Sequence, residues 1–265
     1  MTKNNGDDPL LSVNDVSVRF GGIVALDRVS FDVRRSEVRG LIGPNGAGKS
    51  SLFNCLSRLY RCDTGSIHFD GRVLSEQPRH SIAALGVGRT FQNLALFGTM
   101  TVRENVLIGT HAHHHSGFWR DALRLPSAGR AEKAARERAE RAIELLRLEP
   151  FADRIVADLP FGTQKRVELA RALACEPSLL LLDEPACGLN HEELSGLGEL
   201  ILDIRRNLSL TILLVEHHMG LVMSVCDRIV ALNFGRKIAD GSPASVRNDP
   251  EVIRAYLGED QGATA

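Results

Sequence analysis

Glycines at positions 43, 46 and 48 stand just before Lys49 and Ser50, a spacing that could hold phosphate. In Gly43-Pro44-Asn45-Gly46-Ala47-Gly48-Lys49-Ser50 the glycines let the backbone curl, so that successive N–H groups point inward at phosphate oxygens. Lys49 would reach the β- and γ-phosphates and Ser50 would offer its hydroxyl to Mg²⁺. A helix opening near Ser51 would add the positive end of its dipole. Val38, Leu41 and Ile42 supply a preceding strand, the context that a phosphate-binding P-loop requires. Nucleotide is the expected ligand, but the loop by itself leaves kinase, GTPase, motor and transporter ATPase open.

A second constellation narrows the chemistry. Leu179 to Leu182 run into Asp183-Glu184-Pro185, as a buried strand would to deliver two carboxylates to its C-terminal edge. Adjacent acids after an apolar run can be an ordinary strand end; beside a P-loop they read as a Walker B pair. Asp183 would hold Mg²⁺ through its water shell, and Glu184 would polarise the water that attacks the γ-phosphate in line. Just upstream, Leu159-Pro160-Phe161-Gly162-Thr163 precedes a helix-forming run, Val167 to Ala174. Gly162, the N–H groups around it and the start of that helix can also bind phosphate.

These residues need a scaffold, and the chain has the means to build one. Its 265 residues, 43% hydrophobic and 25% charged, can bury a full core. Val16, Val18 and Phe20 alternate with polar residues, as do Val29, Phe31 and Val33, which predicts antiparallel strands ahead of the P-loop. The loop helix is expected over Ser51 to Leu59. Ser66 to Phe69 with Asp70-Gly71 suggests a short hairpin edge. Strand patterns at Leu179 to Leu182, Thr211 to Val215 and Arg228 to Leu232, separated by helical stretches, predict an α/β fold with a mainly parallel sheet. Between about Asn93 and Asp158 lies a helical insertion, in which Ala131, Ala135, Ala139, Ala142, Leu145 and Leu146 recur at helical spacing. Asp249 as N-cap before Pro250 predicts a short last helix ending near Gly258.

Composition excludes several classes. The apolar runs fall far short of the ~20 residues that a membrane-spanning helix needs. Met1 to Pro9 is polar and acidic, unlike a secretory signal, so a cytoplasmic location is expected. The five cysteines form no C-x-x-C pair and read as reduced, mostly buried thiols. A formal net charge of −1 offers no general attraction to nucleic acid, and no such partner is expected. His111, His113, His114 and His115 beside Trp119 could bind Zn²⁺ or Ni²⁺. Without Cys or acidic ligands at motif spacing they read better as an exposed loop, and no metal is assigned there.

Together these motifs resemble the ATP-binding cassette family. Leu159 to Thr163 occupies the slot of its signature peptide, with Pro160, Phe161 and Thr163 departing from Leu-Ser-Gly-Gly-Gln. The serine hydroxyl that would contact the γ-phosphate is absent. Phe20 fits the aromatic that stacks on adenine, Gln92 the glutamine that senses Mg²⁺ and γ-phosphate, Cys187 to Asn190 the D-loop, and His217 the switch histidine. Taken singly each has a bland reading; the joint order carries the resemblance. Asn190 stands where many cassettes carry Asp. The segments Arg19-Phe20-Gly21-Gly22, Arg89-Thr90-Phe91-Gln92, Asp183 to Asn190, Glu216-His217-His218-Met219 and Ile253 to Glu259 look most like ATPase subunits of branched-chain amino acid importers. An aromatic before the glycine in the signature fits that subfamily as well.

The resemblance implies a P-loop NTPase with a RecA-like core, an antiparallel β subdomain and a helical subdomain at about 93–175. The cassette would span 11–258, with flexible ends at 1–10 and 259–265. It implies ATP and Mg²⁺ as cofactors. Lys49, Gln92, Glu184 and His217 are the catalytic set, and Ser50, Gln92 and Asp183 the metal set. Phe20 and the loop Gly43 to Ser51 would bind the nucleotide, while Gly162 and Thr163 would serve the nucleotide of a second cassette. Implied partners are that second ATPase subunit, alike or paralogous, membrane permease subunits and, indirectly, a solute-binding protein, which places the chain on the inner face of the membrane. Urea, amide and lipopolysaccharide systems remain alternatives, as does a soluble ATPase. Of the soluble kind, chromosome-maintenance ATPases need long arms for which there is no room between Lys49 and Leu159. Translation-associated proteins usually carry two cassettes and a basic linker.

Overall fold

The structure is a computed structural model that describes residues 8–91, 94–113 and 126–257. Two sheets organise it. One is antiparallel, of order β2-β1-β4-β5, built from β1 (Leu11–Phe20), β2 (Ile23–Val33), β4 (Thr64–Phe69) and β5 (Arg72–Val73). The other has the order β10-β9-β3-β8-β7-β6. It joins β3 (Val38–Ile42), β6 (Val87–Arg89), β7 (Leu179–Asp183), β8 (Thr211–Val215), β9 (Arg228–Asn233) and β10 (Arg236–Gly241). All its neighbours pair in parallel except β10, which returns antiparallel to β9.

Both faces of the parallel sheet are covered, which is why its strands read as unbroken apolar runs. Side chains alternate between two cores. Leu180, Leu182, Ile212, Leu214, Ile229 and Ala231 enter one. Leu179, Leu181, Leu213, Val215, Val230 and Leu232 enter the other, together with the antiparallel sheet and the loop helix α1 (Lys49–Leu56). The first core is closed by α2 (Val102–Gly109), α3 (Pro126–Leu145), α4 (Phe161–Leu173), α5 (His191–Leu208) and α6 (Met219–Val225). On α3 the predicted stripe is borne out: Ala135, Ala139 and Ala142 are buried, and Glu132, Arg136 and Glu140 are exposed.

Local departures have local causes. The loop helix starts at Lys49, two residues before the expected Ser51, because Gly48 at φ 101 takes the N-cap turn. It ends at Leu56 rather than Leu59 because Arg58 adopts φ 58, and the N–H groups of Leu59 and Tyr60 turn back to the Asn54 carbonyl. Leu10, assigned by sequence to a flexible N-terminus, is buried; its N–H donates to Val33 and its carbonyl accepts from Asp70. The hairpin at Asp70-Gly71 has both residues at positive φ, as a tight two-residue turn demands. Asp249 caps the last helix, α8 (Pro250–Leu257), by accepting from Glu251; α7 (Pro243–Arg247) precedes it. All five cysteines are free. Cys55, Cys175 and Cys226 are buried, with burial pushing the Cys226 thiol to about 12, whereas Cys187 is exposed. No described helix is long and apolar enough to cross a membrane.

Candidate functional site

Four adjacent strands, β3, β8, β7 and β6, end at the same edge of the sheet. Their register aligns Leu41 with Val215 and Val215 with Asp183, so the P-loop, Glu216-His217 and Asp183-Glu184 leave the sheet side by side. Carboxyl ends of parallel strands are where open α/β sheets bind ligands.

The P-loop is built for an anion. Gly48 gives α1 no side-chain cap, so the first-turn N–H groups, including those of Ser50 and Ser51, are not bound by a side chain at the N-cap. A Cβ on Gly48 would sit 2.5 Å from the Ala25 carbonyl oxygen, and one on Gly43 would strike the Leu232 carbonyl. Nothing lies within 4 Å of that position on Gly46, where backbone can approach a ligand closely. Lys49 is only 7% exposed, its ammonium donating to the carbonyls of Gly43 at 2.5 Å and Pro44 at 2.9 Å. Pro44 and Ala47 are buried, while Asn45 and Ser50 are exposed. The donor set and the uncapped helix fit a nucleotide triphosphate. The Ser50 hydroxyl and the Asp183 carboxylate are the hard oxygen ligands that Mg²⁺ prefers.

At the end of β7, Asp183 is buried and its Oδ2 accepts from Arg89 Nη2 at 2.9 Å. Glu184 follows at φ 46, its N–H donating to the Val215 carbonyl at 2.9 Å. At the end of β8, His217 is half exposed, and its Nδ1 lies 3.8 Å from Glu216 Oε2. Phe20 is 46% exposed and meets the Tyr60 ring edge-on at 5.0 Å, leaving area for a base to stack.

The signature segment lies at the start of α4, with Pro160 at the N-cap and no side-chain cap. Phe161 is exposed and covers Gly188, where an added Cβ would come 2.7 Å from the ring. Gly162 abuts the Glu193 carboxylate. Thr163 is 6% exposed and accepts from Arg166 Nη2 at 3.3 Å, so its hydroxyl is largely withdrawn from the surface. Asn190, the D-loop departure, caps α5: its side chain accepts from Glu193 N–H while Glu193 accepts from Asn190 N–H.

Gln92 lies outside the described residues, as do His114, His115 and Trp119. Among the described residues no group of three His, Cys, Asp or Glu could hold a metal ion. Three charged residues were given no role by sequence reasoning, although Arg89 and Glu216 stand in segments that carry the resemblance. Arg89 pairs with Asp183 and also donates to Asn54 Oδ1 and Ser57 Oγ. Glu168, on α4, is buried and accepts from Phe91 N–H at 3.0 Å; burial raises its carboxyl above the usual range. Glu216 is fully buried at the end of β8. A carboxylate directly after Thr211 to Val215 is the same strand-end signal that singled out Asp183, and it could have been read.

Comparison with known proteins decides the family. A description of the ABC transporter family matches residues 26–187, and one of the branched-chain amino acid ATP-binding cassette transporter matches residues 236–261. The chain belongs to the ABC transporter family. The cassette is 45% identical over 251 residues to the high-affinity branched-chain amino acid transport ATP-binding protein LivG of Salmonella typhimurium, covering 95% of this chain and 98% of that one. It is 44% identical to the corresponding BraF protein of Pseudomonas aeruginosa, with the same coverage. Among solved structures, the ADP conformation of an ATP-binding cassette of an ABC transporter superposes with a TM-score of 0.82 at 29% identity, covering 95% of this chain and 99% of that one. A nucleotide-free cassette superposes at 0.80 and 28%, covering 94% and 99%. The α/β P-loop NTPase fold is borne out, and ATP hydrolysis is the activity of this family of cassettes.

Proposed function

We propose that this cassette is the ATP-hydrolysing subunit of an importer for branched-chain or related amino acids. The observation that supports it most is the alignment of the P-loop, Asp183-Glu184 and His217 at one sheet edge, in a chain whose relatives are named for branched-chain amino acid transport. Adenine stacks on Phe20, and the phosphates lie on the N–H groups of Gly43 to Ser51 with Lys49 at the β- and γ-phosphates. Ser50 and Asp183, with Gln92, would hold Mg²⁺, which supplies charge neutralisation at the phosphates. Glu184 accepts a proton from water as the water oxygen bonds to the γ-phosphorus. The bond from that phosphorus to the bridging oxygen breaks, releasing ADP and phosphate. His217 contacts the γ-phosphate.

A second cassette completes each site. Gly162 and the start of α4 face the partner's nucleotide, with Thr163 contributing its backbone rather than its hydroxyl. The pair closes on ATP, reopens on hydrolysis and docks on permease subunits at the inner face of the membrane, fed by a solute-binding protein. In this reading the ordered cassette runs to residue 258, with residues from about 93 to 175 as its helical subdomain. Co-purification with the membrane subunits, followed by a solute screen of ATPase stimulation in reconstituted vesicles, tests it. Leucine or isoleucine should stimulate; stimulation by urea but by neither amino acid overturns the solute assignment.

A further inference from the structure

We propose that Glu216 is a positioning residue that holds the water-activating Glu184 and the switch histidine His217 in fixed relation. The inference rests on the ATPase reading above and names a residue which that reading does not use.

Glu216 is 0% exposed. Its Oε1 accepts from Ala186 N–H at 2.8 Å, and its Oε2 from His217 N–H at 2.9 Å and His218 N–H at 3.0 Å. Among the described residues its one ion-pair contact is His217 Nδ1 at 3.8 Å. Burying a carboxylate is costly unless hydrogen bonds replace its water, and three backbone donors do so here. An apolar side chain would fill the same space without that cost. What the carboxylate adds is a link between two loops that leave adjacent strands.

Each side of the link reaches the backbone at or within two residues of a proposed reacting group. On the β7 side, Glu184 sits at φ 46, a region that costs a residue with a side chain roughly 1–2 kcal/mol and persists only where neighbours impose it. Two bonds from consecutive residues of one strand end bracket it: the Val215 carbonyl takes Glu184 N–H, and Glu216 Oε1 takes Ala186 N–H. On the β8 side, the same carboxylate ties down the backbone of His217 and His218. Its Oε2 also lies 3.8 Å from the ring's Nδ1, so the side chain stands against the imidazole as well as its backbone. One buried side chain therefore sets where the base and the histidine stand relative to each other.

The test compares Glu216→Gln and Glu216→Asp with the wild-type chain in the assembled transporter. Measurements are kcat, ATP affinity, ATP-driven pairing of the cassettes and the melting temperature. Gln keeps the volume but turns one acceptor oxygen into a donor that faces a backbone N–H; Asp keeps the charge and both acceptors on a shorter stem. Glu216→Gln should lose at least tenfold in kcat while ATP affinity stays within threefold and ATP-driven pairing persists. Glu216→Asp should retain more activity than Glu216→Gln, whereas a space-filling role would rank them the other way. Wild-type turnover in Glu216→Gln, a loss of ATP affinity matching the loss of kcat, or the reversed ranking overturns the role and leaves the ATPase reading standing. A wild-type chain that does not hydrolyse ATP overturns both.

Discussion

Arg89 Nη2 donates to Asp183 Oδ2 at 2.9 Å, joining a residue at the end of β6 to the carboxylate proposed for Mg²⁺ at the end of β7, with both side chains almost wholly buried. The guanidinium also donates to Asn54 Oδ1 at 3.0 Å and Ser57 Oγ at 2.9 Å on the far end of the loop-helix region, and lies 5.6 Å from the Phe53 ring centre. Arg89 thus ties Asp183 to the helix that begins with Lys49. Removing one partner of a buried pair strands the other charge, at a cost of about 3–5 kcal/mol. Arg89→Met should lower the urea midpoint of unfolding accordingly. Pairing it with Asp183→Asn should recover part of the loss, because the carboxylate is then no longer charged. Additive losses in that double-mutant cycle would show that the two residues act separately.

In the proposed reaction Glu184 has one task, and the substitution that isolates it keeps its shape. Glu184→Gln cannot take a proton from water, so turnover should fall by ~10²-fold or more while ATP binding is kept. Single-turnover hydrolysis alongside nucleotide titration checks both halves. Near-normal hydrolysis would remove Glu184 from the role of base.

The parts of this site that the sequence makes legible are those whose partners lie nearby in the chain. Gly43 to Ser50 fold on themselves, and Leu179 to Leu182 read as a strand because both of their faces are buried. Strand β6 escaped notice because it is three residues long, with Val87 as its one large apolar side chain; β7 pairs with it across the chain. Strand β10 is partly exposed and pairs only as an edge. Arg89 and Asp183 are 94 positions apart, Glu168 and Phe91 77, and Glu216 and Ala186 30. No periodicity encodes such pairs; the sheet order creates them.

Glu168 carries a pH dependence of definite sign. Burial raises its carboxyl above 4.5, opposed by the Phe91 N–H bond and by the charges of Lys165 and Arg171. The folded state therefore holds its proton more tightly than the unfolded chain does. Its contribution to stability is full below about pH 4.5 and is lost as pH rises through the higher folded value. Urea unfolding of wild type and Glu168→Gln across that window should show a declining difference curve that the variant's missing titration explains. Parallel stability curves for the two proteins would refute the assignment.

Gly162 and Asn190 meet at Glu193. The Glu193 Oε2 accepts from Asn190 N–H at 3.0 Å, while its other oxygen lies where a Cβ on Gly162 would be. Gly162→Ala must therefore push the carboxylate away and open the capping box of α5, at about 1 kcal/mol. Glu193→Ala removes both the box and the obstacle. Adding Gly162→Ala to it should cost no further stability, a non-additive result that thermal unfolding can read. Asn190→Asp should be nearly neutral, since both residues cap well, and Asn190→Ala should cost about as much as Gly162→Ala. The D-loop departure at Asn190 thus keeps the start of α5 in place, and with it the carboxylate that Gly162 leaves room for.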